Sequence, residues 1–453
     1  MKKLAIVIDK ESKIPLYRQI YLYIKEAIYN QDIKKNEKLP SLRGLAKELE
    51  ISITTIEQAY FQLEVEGYVY AKANSGYYVK DQLDCFDSQD HLPMMESIEE
   101  ISIESNPYYY DRACFNFERY KKCINKVINQ YQDQLYYQSA SQGEAFLRKE
   151  ISHYVYQSRG VRCSSDQVII GAGTQQLATL IIRILKMLDI HVFVVEDPSY
   201  IPIVDIFQNS HFSTLKVPVN DNGVSISQLP TNIPCVLYTA PSNQFPTGSF
   251  MPINKRIEAI KWAHSNHSFI IEDDYDSELR YLTKPIPAMQ GLDKKSQSII
   301  YMGSFSSTMY QAFRISYLIL PNSLLGFYQQ IKDQYNQTCS KLEQLALGLF
   351  MHNGDYQKGI KKMRKLYAVK LEMVLSLLKN NEHVTVTNRT TGIALGIQIK
   401  SKKTPEEIIQ IAKEAKIKIR SYKNNEETNY LLYYNYIPKE NIKKALETFL
   451  SQL

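Results

Sequence analysis

The stretch Phe269-Ile270-Ile271-Glu272-Asp273-Asp274-Tyr275-Asp276 runs from three apolar residues straight into a cluster of carboxylates. A short apolar run with so abrupt a polar end predicts a buried strand, and it places the acids in the loop that follows. The same pattern recurs on either side, at Val168-Ile169-Ile170, Val192-Phe193-Val194-Val195, Val236-Leu237-Tyr238 and Ser298-Ile299-Ile300-Tyr301, with helical stretches between. Short buried runs alternating with helices indicate an α/β domain: a mainly parallel sheet with helices on both faces, over residues 109–453. From about residue 355 the strand candidates are Val384-Thr385-Val386, Ala394-Leu395-Gly396-Ile397 and Tyr430-Leu431-Leu432-Tyr433. With helices between them, these predict a small C-terminal α+β subdomain.

Ligands of such a sheet sit beyond the carboxyl ends of its strands, so the loops after the apolar runs carry the functional signal. Gly171-Ala172-Gly173-Thr174-Gln175-Gln176 follows a strand and opens a helix, whose first N–H groups suit a phosphate. The same small residues also permit a tight turn. Glu196-Asp197-Pro198-Ser199-Tyr200 brings an aromatic ring to this edge, and Ala240-Pro241-Ser242-Asn243-Gln244-Phe245-Pro246-Thr247-Gly248 follows the next strand. The acids Glu272 to Asp276 could hold a metal, but no histidine or second acidic cluster lies near them, and no metal is expected.

Residues 1–80 follow a different rhythm. Leu16, Ile20, Ile24 and Ile28 recur at helical spacing after Pro15. Leu39-Pro40-Ser41 breaks and caps a second helix carrying Leu42, Leu45, Ala46 and Leu49. Ser52 caps a third, with Ile56, Ala59, Tyr60 and Leu63 on one face, and Gly67 stops it. Tyr68-Val69-Tyr70 and Tyr77-Tyr78-Val79 then form strands around Ala73-Asn74-Ser75-Gly76. Helix, turn, helix and hairpin in this order predict an α+β winged helix-turn-helix. Residues 81–108 are acidic and without periodicity, as in a linker.

Composition agrees with a multidomain soluble protein: 453 residues, 44% hydrophobic, 23% charged, net charge +6. The charge permits nucleic-acid binding without arguing for it. Six scattered cysteines with no C-x-x-C pair suit free thiols in a reducing compartment. The apolar run after Met1-Lys2-Lys3 is too short for a signal peptide and no stretch approaches a membrane span, so a cytoplasmic location is expected.

The pattern L-P-S-x-R-x-L-A, S-x-T-T-I, A-Y-x-x-L, E-G-Y and S-G-x-x-V in the first eighty residues resembles the GntR family of bacterial repressors. The remaining loops resemble, in order, fold-type I aminotransferases, whose cofactor is pyridoxal phosphate. Together they look like MocR/GabR-type transcriptional regulators, which join the two domains. The resemblance continues through Gln157-Ser158-Arg159-Gly160, Gln337-Thr338-Cys339-Ser340 and Tyr356-Gln357-Lys358 and covers nearly the whole chain.

The resemblance implies that Thr174, Gln175, Ser304 and Arg314 hold the cofactor phosphate. It further implies that Tyr200 stacks on the ring, Asp273 pairs with the ring nitrogen, and Tyr275 bonds the phenolic oxygen, with Asn243 completing the set. In Tyr301-Met302-Gly303-Ser304-Phe305-Ser306-Ser307-Thr308, however, Ser307 stands where the family has the lysine that binds pyridoxal phosphate covalently. A serine hydroxyl cannot form that carbon–nitrogen double bond, and no lysine lies between Lys295 and Lys332. Tyr436 falls on the family's carboxylate-clamping arginine, and Pro202 replaces a basic residue after Tyr200.

The expectation is therefore a DNA-binding regulator whose aminotransferase-like domain has lost its chemistry and senses a small molecule, with pyridoxal phosphate held non-covalently if at all. The resemblance also implies a head-to-tail homodimer. On the DNA side, Ser52, Ile53, Thr54, Thr55 and Gln58 would face base edges and phosphates, while Arg43, Lys47 and Lys72 grip the backbone. Ile53 stands where GntR-type repressors often carry arginine, which favours methyl contacts to thymine over guanine readout. Two alternatives stay open: residual aminotransferase-type catalysis, and a DNA-binding scaffold without a ligand.

Overall fold

The computed structural model describes residues 6, 8–10, 12, 14–73, 75–80, 111–280, 286–295, 297–310, 312–379, 381–388, 392–424 and 427–453. The chain divides into two units, Met1–Glu104 and Ser105–Leu453. The proposed linker 81–108 lies outside the described residues.

The first unit contains helices Leu16–Tyr29, Leu42–Leu49 and Ile53–Val65, then the hairpin of β1 (Val69–Lys72) and β2 (Gly76–Val79). The capping expected from sequence is present. The Ser41 hydroxyl accepts the Gly44 N–H at 3.1 Å, and Ser52 accepts the Thr55 N–H at 3.2 Å. Glu50 takes a left-handed conformation (φ 52°), which ends the second helix and turns the chain into the third. Ile20, Ile24, Leu45, Ile56, Tyr60, Leu63, Val69 and Val79 form one buried core. Each large side chain there contributes about 1.5–3 kcal/mol by leaving water. Tyr60 also donates from its hydroxyl to the Pro40 carbonyl at 3.0 Å, which fixes the breaker against the third helix.

In the second unit, β3 (Val168–Gly171), β4 (Val192–Asp197), β5 (Ser213–Asn220), β6 (Gly223–Val224), β7 (Val236–Thr239), β8 (Phe269–Asp273), β9 (Ile299–Ser304) and β10 (Ser316–Ile319) form one sheet. Their order is β3-β10-β9-β8-β7-β4-β5-β6. Strands β5, β4, β7, β8 and β9 are parallel, while β10 runs against both its neighbours. Strand side chains alternate between faces. Phe193 and Val195 pack with the helices Thr174–Met187, Ile201–Asn209 and Asn322–Ile331, whereas Val194 packs with Ile253–Ser265 on the other side. Burial on both faces is why these strands read as unbroken apolar runs.

The C-terminal subdomain is an antiparallel sheet of β11 (Val384–Asn388), β12 (Ala394–Ile399), β13 (Lys418–Asn424) and β14 (Glu427–Tyr433), in the order β11-β12-β14-β13. It shares a core with the helices Asp355–Leu378, Pro405–Glu414 and Ile442–Leu450. No helix among the described residues is long and apolar enough to cross a membrane. The five described cysteines are free, and no group of side chains among the described residues could hold a metal.

Candidate functional site

The carboxyl ends of β3, β4, β7, β8 and β9 surround a cavity of about 260 Å³. Thr174, Gln175, Tyr200, Asn243, Asp273, Tyr275, Ser304 and Arg314 all line it. Six separate segments thus bring to one place the residues singled out from sequence. At one end the helix Thr174–Met187 begins with no side-chain cap, leaving its N-terminus turned to the cavity. Gly173 precedes it in a left-handed conformation (φ 101°), and a Cβ there would lie 2.6 Å from the Arg314 guanidinium. Glycine is needed on both counts: the backbone angle and the space taken by Arg314. Opposite, the Ser304 hydroxyl contacts those of Ser306 and Ser316, each at 3.0 Å. A helix N-terminus, a guanidinium and grouped hydroxyls are together able to receive a phosphate.

The ring-sized middle of the cavity is walled by Tyr200, which meets Phe245 edge-on at 6.1 Å. Asp273 is at its base. Burial raises this carboxyl to about 6, although Tyr238 donates its hydroxyl to it and opposes the rise. Burial likewise lifts Glu196 to about 7 against the hydrogen bond from Thr239. Asp274 behaves differently. Burial alone would raise it, but the Arg159 guanidinium at 2.7 Å, with hydrogen bonds from Tyr301 and Ser277, holds it near 2. Arg159 also donates to Ser242 at 2.6 Å, and thereby ties the loop after β7 to the loop after β8.

Sequence reasoning did not assign roles to Glu196, Tyr238, Arg420 or Tyr433, which also line the cavity. Glu196 and Tyr238 sit at strand ends and could have been found by extending the loop argument one residue inward. Arg420 and Tyr433 come from β13 and β14, and nothing local in the sequence announces that the small sheet reaches this cavity. Tyr436 is not among the lining residues. Ser307 is half-buried one position beyond the lining residue Ser306, with its hydroxyl beside the Asp276 carboxyl. Among the described residues, no lysine lines the cavity.

In the first unit Arg43, Lys47, Ser52, Thr54, Gln58 and Lys72 are exposed, Ile53 is 46% exposed and Thr55 is half-buried. They occupy the second helix, the N-terminal half of the third and the hairpin tip. The Ser52 hydroxyl is within 2.8 Å of that of Thr54 and 2.7 Å of that of Thr55, besides capping the helix. Its first duty is therefore structural, and the outward surface at the helix start is formed by Ile53, Thr54 and Gln58.

Comparison with known proteins bears on both units. Residues 16–79 match the bacterial regulatory proteins of the gntR family, and residues 99–448 match aminotransferase class I and II. The uncharacterized HTH-type transcriptional regulator YdeL of Bacillus subtilis (strain 168) is 39% identical over 420 residues, covering 91% of this chain and 90% of its own. The chain belongs to the HTH-type transcriptional regulators with an aminotransferase domain. The chain is also similar to the probable rhizopine catabolism regulatory protein MocR of Rhizobium meliloti, 27% identical over 86% of this chain and 83% of its own. The pyridoxine biosynthesis regulator PdxR of Corynebacterium glutamicum is 26% identical, covering 83% of this chain and 81% of its own. Among solved structures, Pyrococcus horikoshii kynurenine aminotransferase superposes with a TM-score of 0.66 at 21% identity, covering 81% of this chain and 98% of its own. At that identity the likeness establishes the transferase fold alone. The regulators establish the class, and the chain's own match to the gntR family implies DNA binding.

Proposed function

We propose that the regulator reads operator DNA through its winged helix and holds pyridoxal phosphate non-covalently in the aminotransferase-like unit, which acts as a sensor and not as an enzyme. The observation that carries this reading is the combination of a site able to receive a phosphate, a cavity with no lysine among its described lining residues, and a serine at position 307. The residues fit the cofactor: Gly173 has no Cβ where Arg314 needs room, and hydroxyls converge at Ser304. Two solved structures of the same fold support the fit. The kynurenine aminotransferase is in complex with PMP, and LysN of Thermus thermophilus is complexed with a phosphopyridoxyl-leucine.

Pyridoxal phosphate, when bound, supplies an aldehyde that reacts with free amines. The chain's own residues do the rest. Thr174, Gln175, Ser304 and Arg314 fix the phosphate, Tyr200 covers the ring, Asp273 takes the ring nitrogen, and Tyr275 and Asn243 face the phenolic oxygen. Without a lysine at 307 the site lacks both the covalent anchor and the proton carrier that transamination uses. A head-to-tail homodimer, as in the MocR-type resemblance, would present two winged helices to repeated half-sites. The effector is a small molecule whose affinity differs between two arrangements of the regulator.

The test is DNA affinity of the full chain, measured by fluorescence anisotropy on fragments it selects from random-sequence DNA, with and without pyridoxal phosphate. The proposal requires a change in affinity with the cofactor that Arg314→Ala removes. Identical DNA binding in both conditions would refute the sensor.

A further inference from the structure

Asp276 stands apart from the other acids around the cavity. It is 2% exposed, and neither carboxylate oxygen has a well-aligned hydrogen bond or an ion pair among the described residues. Each of its five acidic neighbours is provided for. Glu196 accepts from Thr239 and Ala240, Glu272 from the Met289 and Gln290 N–H groups at 2.7 and 2.9 Å, and Asp273 from Tyr238. Asp274 is paired with Arg159, and Glu278 accepts from Tyr154 at 2.9 Å. Among the described residues the only donors to Asp276 are the Ser307 and Tyr275 hydroxyls, and no cation pairs with it; a buried carboxylate without a cation is costly, and such groups are normally paired or ligand-binding.

Its position suggests what is missing. Asp276 lines a narrow recess whose other walls include Asn243, Phe245, Tyr275 and Tyr433, and those four also line the main cavity. The Ser307 and Tyr275 hydroxyls interact with it. Ser307 is the position at which a lysine would have put an ammonium group beside this carboxylate. With serine there, the cation must come from elsewhere.

We infer that the ligand this pocket favours brings its own ammonium group, as pyridoxamine phosphate does, and that Asp276 is its counter-ion with Ser307 as a hydrogen-bonding neighbour. This rests on the reading that the cavity holds a phosphorylated vitamin. With a phosphate at Arg314 and a ring nitrogen at Asp273, the substituent opposite that nitrogen would face away from Asp273. Asp276, in contact with the Tyr275 and Ser307 hydroxyls, lies in the recess that shares walls with the cavity. Asp276 thus selects between vitamers that share phosphate and ring and differ in one substituent. Burial raises its carboxyl to about 7 in the free protein, so an incoming ammonium also stabilises its ionised form.

Equilibrium titration of the full chain with pyridoxamine phosphate and with deoxypyridoxine phosphate, which carries a methyl in place of the aminomethyl group, tests the inference. The aminomethyl compound should bind about tenfold tighter or more, the value of one charge-assisted hydrogen bond. Asp276→Asn should erase that ratio. Ser307→Lys, which supplies an internal ammonium, should erase it too, so the result does not hang on one variant's folding. Equal affinities in the natural chain, or a preference that survives both substitutions, would overturn the role of Asp276 while leaving the vitamin site standing. Failure of both compounds to bind would overturn the vitamin site and this inference with it.

Discussion

Gly173 has no side chain because Arg314 fills the space where one would go, and its φ of 101° is one that other residues rarely adopt. Gly173→Ala should therefore displace the guanidinium and lower pyridoxal phosphate affinity by about tenfold or more, the scale of one lost charged hydrogen bond. A titration that finds unchanged affinity would remove Arg314 from the phosphate site. Arg159 offers a stability prediction at the same scale. Arg159→Ala leaves Asp274 buried without its cation and should destabilise the second unit by about 3–5 kcal/mol in thermal unfolding at neutral pH. The Asp274 carboxyl is held down near 2, so the pair's contribution is complete above about pH 4 and is lost as pH falls through about 2. The gap between natural and variant chains should close over that acidic window and stay constant from pH 5 to 8. That Thr174, Tyr200 and Asp273 would meet at one sheet edge was legible because each follows an apolar run or opens a helix, whereas Arg314 and the proposed cofactor roles came from the family resemblance. Asp276 was quoted in the same loop, yet its lack of a cation emerges only when the partners of the surrounding acids are in place.

Elements carry the next layer. The third helix presents Ile53, Thr54 and Gln58 outward, with Arg43 and Lys72 exposed on the preceding helix and the hairpin. Arg43→Ala should weaken DNA binding nearly uniformly across sequences and reduce the slope of log affinity against log salt by about one. Ile53→Ala should instead change base preference at one position while leaving the salt slope alone, as measured by selection from random DNA. The central strands were readable because both faces are buried and every residue is apolar, as in Val236-Leu237-Tyr238 and Phe269-Ile270-Ile271. Strand β13 was not. It is an edge strand, paired only with β14, and its Lys418-Ile419-Arg420-Ser421 sequence is that of an edge charged against unwanted pairing. Because β13 was missed, Arg420 was missed, and with it a second guanidinium at the cavity.

At the scale of the whole molecule, a gntR-type DNA reader is joined to an aminotransferase fold, which we propose works without a covalent tether to its cofactor. The fold class and the order of domains followed from the change in rhythm after residue 80, from helical spacing to alternating strands and helices. What couples the units was never legible, since the acidic stretch between them has no periodicity and its course lies outside the described residues. Regulation requires that ligand binding favour one arrangement of the regulator over another, and by linkage DNA must alter ligand affinity by the same factor. A titration of pyridoxal phosphate in the presence of saturating operator DNA should therefore show that factor in reverse. The most direct measurement is a spectrophotometric titration of the purified full chain with pyridoxal phosphate, followed by borohydride reduction and intact mass. Saturable binding with no mass increase is the predicted result; a covalent adduct, or no saturable binding, would contradict a cofactor pocket that works without its lysine.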